Sequence, residues 1–192
     1  MKDKILKIKD KQEAHPVAEF FLKRFSPRSF SSKKIPVADL ETVFAAVRWT
    51  PSSYNRQPWY FYVAEEGSSS YKKILSTLSD SNKVWVQKVP ILILACYIAK
   101  DEYGQNSYAQ YDLGQSVATL VYQAQILGLY SHQMAGFDKK KVSELLSLPE
   151  DHKPWVVIAL GYLGSYDNLP EEVLSKELLP PKRKDQIYTV LK

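Results

Sequence analysis

The sequence predicts a layered α/β domain, because apolar strand-like runs alternate along the chain with segments of helical periodicity. Residues 90–98 (PILILACYI) read as a strand buried on both faces, and residues 154–164 (PWVVIALGYLG) as another strong strand. Between them, residues 107–127 carry apolar side chains at helical spacing, namely Leu113, Val117, Leu120, Ala124 and Leu127. A chain of 192 residues with 45% hydrophobic and 24% charged residues has the size and composition of one packed domain.

The first half of the chain predicts two helices, a strand and a short third helix, in that order. One helix begins near Pro16 and the next at Pro36, since proline suits the first helical position. Their predicted apolar faces are Val17, Phe20 and Phe21 in the first helix and Val37, Leu40, Phe44 and Val47 in the second. Residues 58–65 (PWYFYVAE) are aromatic and β-branched and predict a strand, and residues 68–79 predict the short helix.

In the second half, the long helix is predicted to end at Gly128, because glycine commonly terminates helices. A short strand over residues 129–134 and a helix over residues 138–148 with Asp138 as N-cap follow. Three further apolar residues widen the surface of the long helix beyond one stripe: Val121, Tyr122 and Ile126. Such a surface is typical of a helix that is buried on more than one side.

The tail, residues 165–192, is interrupted by prolines and is polar until residues 186–191 (QIYTVL), which resemble a strand. No hairpin partner lies beside that segment in the sequence. A lone strand needs a sheet edge to pair with, so the pattern predicts pairing elsewhere, on this subunit or on another.

Composition and charge narrow the class of protein. The formal net charge of +5 favours an anionic partner, either a phosphate-bearing cofactor or nucleic acid, while the lysine-rich residues 2–11 are interpreted as a solvated tail. The longest apolar run, residues 89–99, is too short for a membrane span and no signal peptide opens the sequence, so no membrane association is expected. The single cysteine, Cys96, lies in that run, which predicts a buried structural thiol and fits a reducing cytoplasm.

Several common site signatures are missing from the sequence. The seven glycines form neither a G-x-G-x-x-G motif nor a P-loop. His15, His132 and His152 are far apart, and no Cys/His cluster has the spacing of metal ligands. Ser116 lies in GQSVA, which resembles a nucleophile elbow, but it falls inside the predicted long helix rather than after a strand. The sequence therefore predicts no metal site and does not favour a serine hydrolase.

Residues 23–30 (KRFSPRSF) place two arginines around a serine. Pro27 favours an extended conformation for Ser26, the residue before it. In an extended chain Arg24, Ser26 and Arg28 stand at i, i+2 and i+4 and point to one side. Two guanidinium groups beside a hydroxyl suit a phosphate or a carboxylate, although an exposed basic turn has the same pattern.

Two further segments are candidates for ligand binding. Residues 180–186 (PPKRKDQ) place three cations on a proline-stiffened loop, Lys182, Arg183 and Lys184. Alone, that pattern is typical of a solvated charge run. The loop before the strand at residues 58–65 crowds four hydrogen-bonding side chains, Ser52, Ser53, Asn55 and Gln57. This loop either solvates itself or holds a ligand, and its residues alone leave both interpretations open.

Taken in order, these segments resemble the nitroreductase family of FMN-dependent oxidoreductases. The motifs are Arg24–Ser26–Arg28 with Phe30, then residues 50–63 (TPSSYNRQPWYFYV), 82–94 (NKVWVQKVPILIL), 112–129 (DLGQSVATLVYQAQILGL), 135–137 (AGF), 156–162 (VVIALGY) and the basic tail. The resemblance implies an α+β fold, a three-layer α/β/α sandwich with a mostly antiparallel central sheet flanked by helices. It also implies a homodimer of single-domain chains (residues 1–192), with residues 1–13 as an N-terminal extension and residues 165–192 as an arm whose strand is exchanged with the partner subunit.

The resemblance further implies one FMN in each of two clefts at the subunit interface. The residues it assigns to the phosphate are Arg24, Ser26, Lys182 and Arg183. Arg28 would reach the ribityl chain and the pyrimidine edge of the ring, where Asn82 would also lie. The backbone N–H of Gly136 would face flavin N5, and that of Ala135 would face O4. The wall assigned to the other subunit comprises Pro51, Ser52, Ser53 and Asn55, with Gln57 near them.

The chemistry implied by the resemblance is ping-pong transfer of hydride from NAD(P)H, through flavin N5, to a nitroaromatic, a quinone or a similar electrophile. The flavin carries out this chemistry, so no catalytic side chain is expected. One alternative is a specialised relative that fragments flavin or removes halogen reductively, and another is an FMN-binding carrier or sensor without turnover. A nucleic-acid-binding module is disfavoured, because the lysines lack the interleaved aromatic residues of a stacking platform.

Overall fold

Four antiparallel strands form the central sheet. The structure, a computed structural model, describes residues 1–11, 13–167 and 169–191. The strands of those residues are β1 (Trp59–Glu65), β2 (Ile91–Ile98), β3 (Lys100–Asp101), β4 (Gly104–Gln105), β5 (Tyr130–Met134) and β6 (His152–Gly161). The sheet order is β1-β2-β6-β5, and β3 and β4 pair separately as a small hairpin. The two strongest predicted strands, β2 and β6, are therefore central neighbours.

Helices cover both faces of this sheet. The helices of the described residues are α1 (Lys2–Lys9), α2 (Glu19–Lys23), α3 (Val37–Val47), α4 (Ser69–Thr77), α5 (Asp80–Val86), α6 (Ala109–Ile126), α7 (Lys139–Leu146) and α8 (Glu171–Glu177). Alternate residues of β2 pack into two cores, Leu92 and Leu94 with α4, α5 and α7, and Ile91 and Ile93 with α3 and α6. Side chains alternate along a strand, so one apolar run supplies both cores. The predicted α+β sandwich with an antiparallel sheet is confirmed.

The long helix and the elements after it also agree with the sequence. The predicted stripe of α6 is buried except for Leu127, which is partly buried, and Gly128 follows the helix with a φ of 74°, which favours glycine. Asp138 caps α7, since its side chain accepts a hydrogen bond from the backbone N–H of Lys141 at 2.9 Å. Cys96 is fully buried, and burial raises the pKa of its thiol to about 12. The thiol is therefore structural and inert.

The interpretation of residues 2–11 as a solvated tail is wrong. Residues 2–9 form α1, and Ile5 of that helix has no exposed surface. The ammonium of Lys9 donates a hydrogen bond to the carbonyl oxygen of Leu179 at 2.8 Å, which ties α1 to the C-terminal part of the chain. The prediction failed because lysines dominate this short segment, and only one of its apolar residues, Ile5, packs inside the fold.

The first predicted helix is shorter than expected, and its apolar residues do not enter the core. α2 begins at Glu19, so Val17 precedes it, and the exposed fractions of Val17 and Phe21 are 40% and 43%. The rings of Phe20 and Phe21 instead contact Tyr122 on the outer side of α6, at centroid distances of 5.5 and 4.6 Å. A helix of five residues is too short to bury one face deeply, and an aromatic cluster at the surface results.

The C-terminal segment contains a helix that the sequence did not predict. Val173 and Glu177 of α8 are both buried, whereas residues 186–191 form no strand and leave four large apolar side chains exposed, Ile187, Tyr188, Val190 and Leu191. Asn168 and Lys192 of the predicted arm lie outside the described residues. Strand exchange with a partner stays a prediction. In the part of the chain that the structure describes, every helix is too short or too polar to cross a lipid bilayer.

Candidate functional site

The first group of candidate residues follows α2. Arg24 ends that helix in an extended conformation, and its Nη1 donates a hydrogen bond to Ser26 Oγ at 3.3 Å. Phe25 and Pro27 are buried, whereas Ser26 is exposed and Arg24 and Arg28 are partly exposed. The extended backbone therefore directs the two arginines and the serine to the outer side and the two apolar residues inwards.

Arg183 of the C-terminal tail lies close to Arg24. Burial lowers the pKa of the Arg24 guanidinium, and the positive charge of Arg183 lowers it further, against an opposing effect of Tyr122. Lys182 is exposed, and its carbonyl oxygen accepts a hydrogen bond from Arg183 Nη1 at 2.7 Å. Two segments more than 150 residues apart in sequence thus bring cations to one place, which suits an anion.

Arg28 engages a carboxylate that the sequence did not single out. Its Nη1 lies 2.9 Å from Oε1 of Glu177 in α8, whose side chain is 1% exposed. The second carboxylate oxygen, Oε2, is buried and has no hydrogen-bond partner among the described residues. Burial raises the pKa of Tyr166, and the negative charge of Glu177 raises it further. The ion pair fixes one side of the Arg28 guanidinium and joins α8 to the segment that carries Arg24 and Ser26.

His132 of β5 forms a hydrogen bond with the same segment. Its Nδ1 lies 2.9 Å from the carbonyl oxygen of Pro27, which can only accept, so Nδ1 carries the proton. The imidazole also packs against the ring of Trp85 at a centroid distance of 4.6 Å. The pKa of His132 is lowered to about 4, mainly by burial and also by the positive charges of Arg28 and Arg24, while the hydrogen bond to Pro27 opposes the lowering. A neutral histidine therefore holds the backbone between Ser26 and Arg28.

The depressed pKa of His132 makes stability depend on pH. Below the ordinary histidine pKa of about 6.5 the unfolded chain takes up a proton that the folded chain refuses, so its share of the free energy of unfolding falls as pH drops from 6.5 to 4. The loss amounts to at most about 3 kcal/mol, at 1.36 kcal/mol per pKa unit. Urea denaturation of wild type and His132→Gln across this range measures it. His132→Gln should flatten the pH dependence, whereas His15→Gln, at an exposed position, should keep it.

Gly136 sits where a side chain would not fit. Its carbonyl oxygen accepts from the backbone N–H of Ser79 at 2.8 Å and from Asn82 Nδ2 at 3.3 Å. A Cβ at Gly136 would approach Ser79 Oγ to 2.8 Å. Ala135 and Gly136 are exposed residues, and their backbone N–H groups donate to no described residue. Ala135 also lines a cavity of about 350 Å³. The arrangement brings Asn82 beside two open backbone donors.

The loop 51–57 has a strained backbone. Tyr54, Asn55 and Gln57 have φ values of 52°, 55° and 48°, a region that non-glycine residues avoid. Each such residue is unfavourable by about 1–3 kcal/mol and persists only where surrounding structure enforces it. The enforcing contacts are Gln57 N–H to Ser52 Oγ at 3.0 Å and Ser53 N–H to Asp112 Oδ2 at 3.1 Å. Strain of this kind clusters at ligand sites.

These residues fall into two groups. Through Pro27, the segment of Arg24, Ser26 and Arg28 contacts His132, which packs on Trp85 of α5; the same helix carries Asn82, which donates to the carbonyl oxygen of Gly136. Pro51, Ser52, Ser53, Asn55 and Gln57 stand apart on the loop 51–57. Within the described residues, the hydrogen bonds and ion pairs of that loop run to Asp112 of α6 and, through Arg56, to Asp101 and Gly104. These partners belong to α6 and to the hairpin of β3 and β4, and not to the segments that carry Arg24, Asn82 or Gly136.

The sequence matches the nitroreductase family over residues 22–88 and 71–162. These ranges contain the Arg24 segment, the loop 51–57, Asn82 and Gly136, and they cover well over half of the chain. The chain belongs to the nitroreductase family. Family membership accounts for the order of the sequence motifs and agrees with the antiparallel sandwich.

The relatives of this chain carry the names of two different activities, nitro reduction and deiodination. A crystal structure of an oxidoreductase containing FMN has a TM-score of 0.85 and 29% identity to this chain, and it covers 92% of this chain and 91% of its own. An oxygen-insensitive NADPH nitroreductase of Helicobacter pylori is 27% identical over 177 residues, 72% of this chain and 83% of that protein. An iodotyrosine deiodinase of Haliscomenobacter hydrossis is 23% identical over 181 residues, 80% of this chain and 82% of that protein.

Proposed function

We propose that this nitroreductase-family protein is an FMN-dependent oxidoreductase that takes hydride from NAD(P)H and passes it to a small electrophilic acceptor. The observation that carries the proposal is the convergence of Arg24, Ser26 and Arg183 in one place, on a segment that His132 and Trp85 connect to the helix of Asn82. The cations suit a phosphate dianion, and the backbone N–H groups of Ala135 and Gly136, which donate to no described residue, suit the polar atoms of a flat ring. These features fit FMN on the residues' own chemistry.

Within this proposal Arg24, Ser26, Lys182 and Arg183 hold the phosphate of FMN. Arg28 reaches the ribityl chain and pyrimidine edge, held in place by Glu177. The remaining residues on this side are Asn82, Ala135 and Gly136. Bound FMN would supply the redox chemistry, a hydride accepted from NAD(P)H and passed to a nitroaromatic, a quinone or a related acceptor. The chain's own residues bind and orient, and we assign no catalytic side chain.

The remaining wall of the cleft comes, we propose, from the loop 51–57 of a second copy of the chain. In favour of a homodimer, the strained loop makes its contacts away from Arg24, the rings around Tyr122 lie at the surface, and residues 186–191 expose apolar side chains. Exposed apolar groups of this kind are typical of association surfaces. The lone buried Cys96 favours a cytoplasmic location.

An absorption spectrum of the purified protein tests the function. Bound FMN should give flavin bands near the usual blue and near-ultraviolet wavelengths, and anaerobic addition of NADH or NADPH should bleach them. The donor that bleaches faster is the preferred one, and a quinone or a nitroaromatic should restore the colour. A colourless protein that cannot take up added FMN would contradict the proposal. Bound FMN that neither donor bleaches would favour a carrier or sensor.

Asn55→Gly tests whether the loop 51–57 contributes to FMN binding. Glycine tolerates the φ of 55° at this position, so the change removes the amide and leaves the backbone unstrained. Loss of its hydrogen bonds should raise the Kd for FMN about tenfold, measured by flavin fluorescence titration.

Mixed dimers sharpen that prediction. In a dimer of one Asn55→Gly chain and one Arg24→Ala chain, isolated with two affinity tags, one cleft should carry both changes and the other neither. Half of the clefts should then keep wild-type affinity. If both clefts are weakened instead, the loop acts on the FMN of its own chain.

Reductive dehalogenation is a second candidate, favoured by the similarity to the deiodinase over 80% of this chain. The scaffold and the FMN residues would be the same, and the substrate would be a halogenated phenol. Release of iodide from iodotyrosine with reduced protein, without turnover of quinones or nitroaromatics, would select this activity. Turnover of nitroaromatics or quinones with no iodide release would reject it.

A further inference from the structure

Lys11, just after α1, reaches the same group of cations from a third part of the chain. Its Nζ donates hydrogen bonds to the carbonyl oxygens of Leu22 at 2.5 Å, Phe21 at 3.4 Å and Arg24. These carbonyls belong to the end of α2, and the last of them belongs to the arginine of the phosphate group. Lys11 therefore stands at the start of the Arg24–Ser26 segment, and its position is fixed by backbone rather than by solvent.

The charges around Lys11 are mostly of its own sign. The pKa of Lys11 is lowered to about 8, mainly by burial and then by the positive charges of Arg24, Arg183 and Lys9, while Asp10 opposes the lowering. Three cations from three segments, near residues 11, 24 and 183, thus lie within electrostatic reach of one another. Holding them together without an anion is unfavourable, because like charges repel strongly in a partly buried setting.

We propose that the Lys11 ammonium, whose N–H groups are held by three backbone carbonyls, adds a further positive charge beside the FMN phosphate, supplied by the N-terminal segment. The inference rests on the proposed function and adds to it a residue outside the range that matches the family, which begins at residue 22. A phosphate monoester carries about −1.5 to −2 charges at pH 7 and three acceptor oxygens. Placed against Arg24, Ser26 and Arg183, it would face the Lys11 ammonium, whose charge it would stabilise.

The alternative role for Lys11 is structural. Lysine side chains near a helix C-terminus can bond the last carbonyls, and Lys11 does this for α2. A purely structural lysine would affect every ligand of the fold alike. A charge that attracts the phosphate would affect FMN binding and leave the binding of riboflavin, which lacks the phosphate, unchanged. The two ligands therefore separate the roles.

Proton uptake gives a second signature. A phosphate beside Lys11 keeps the ammonium protonated in the complex, whereas the free protein loses this proton around pH 8. FMN affinity should then fall as pH rises from 8 to 9.5, by up to about tenfold per pH unit. The phosphate itself, with a second pKa of about 6, is already ionised throughout this range. Arg24, Arg183, Asp10 and Lys9 also face Lys11, and Lys9, whose pKa burial lowers too, is the residue to control for.

The experiment titrates FMN and riboflavin into full-length, flavin-stripped protein at pH 7 and at steps to pH 9.5. Lys11→Met should raise the Kd for FMN about tenfold at pH 7 and leave that for riboflavin within about twofold. Lys11→Arg, which keeps its charge, should retain FMN affinity and lose the fall above pH 8. Lys4→Met on α1 is the matched control for charge, and Lys9→Met the control for the neighbouring lysine; both should keep the wild-type pH profile.

Three results would overturn the inference while the proposed function stands. These are unchanged FMN affinity in Lys11→Met, an equal loss for FMN and riboflavin, or a wild-type pH profile in Lys11→Arg. The last result decides the matter even if Lys11→Met fails to fold. A wild-type protein that binds no FMN would instead contradict the proposed function itself, so the two failures are distinguishable.

Discussion

Replacing Arg24 by alanine should raise the Kd for FMN about 100-fold, because it removes a charge-assisted hydrogen bond of up to about 3 kcal/mol to the phosphate. Arg24 is partly buried, so its charge is screened less than that of a surface arginine. It also holds Ser26 Oγ at 3.3 Å, so the serine loses its orientation as well. Riboflavin should bind the variant almost as it binds wild type, since it carries no phosphate.

Flavin fluorescence titration of both ligands measures this difference. Arg48→Ala, at an exposed arginine at the end of α3, is the matched control and should leave both affinities unchanged. Raising the salt concentration should weaken FMN binding to wild type more than to Arg24→Ala, since the variant has one ionic contact fewer. Equal losses for FMN and riboflavin would place Arg24 outside the phosphate site.

The strands and the long helix could be predicted because their signal is local. β2 and β6 are runs of apolar residues that can only be buried on both faces, and α6 repeats its apolar residues at helical spacing over five turns. α1 and α8 could not be predicted this way. Each places only one or two residues in the core, Ile5 in α1 and Val173 with Glu177 in α8, so lysines and glutamates dominate their sequences.

The same distinction applies to the candidate site: its local pattern could be predicted from the sequence, and its contacts between distant residues could not. The alternation of Arg24, Ser26 and Arg28 around Pro27 is a local property of an extended chain, and the structure has it. Their partners are distant in sequence: Glu177 lies 149 residues from Arg28, and His132 lies 105 residues from Pro27. Only the fold brings such groups together. Glu177 and His132 could therefore not be identified as partners from the sequence alone.

The loop 51–57 is a third case. Its residue types predicted hydrogen bonding but did not predict its backbone conformation. Its serines, asparagine and glutamine indicated hydrogen bonding, but nothing in the residue types marked Tyr54 and Gln57 for the left-handed region. That conformation depends on Asp112, a buried acid of α6 that accepts from the backbone N–H of Ser53. A charged residue inside an apolar helical stripe is the one sequence signal that could have pointed to it.

Replacing Glu177 by leucine should lower the free energy of unfolding by about 3 kcal/mol, because it leaves the Arg28 guanidinium in a mostly buried place without its carboxylate. Arg28 keeps 28% of its side chain exposed, so water compensates for part of the loss and places this value at the low end of the range for buried pairs. Urea denaturation measures it.

A double-mutant cycle separates the ion pair from packing. Arg28→Met with Glu177→Leu should recover most of the stability, since neither charge is then left alone in the core. Glu172→Leu on the same helix is the control: its carboxylate pairs with Lys176 at 2.8 Å but is 81% exposed, so the change should stay below about 1 kcal/mol. Glu177→Leu should also weaken FMN binding, because α8 leads into the tail that carries Arg183. The prediction is contradicted if Glu177→Leu loses no more stability than Glu172→Leu. The buried ion pair would then not stabilise the fold, and the carboxylate would not hold Arg28 away from its ligand.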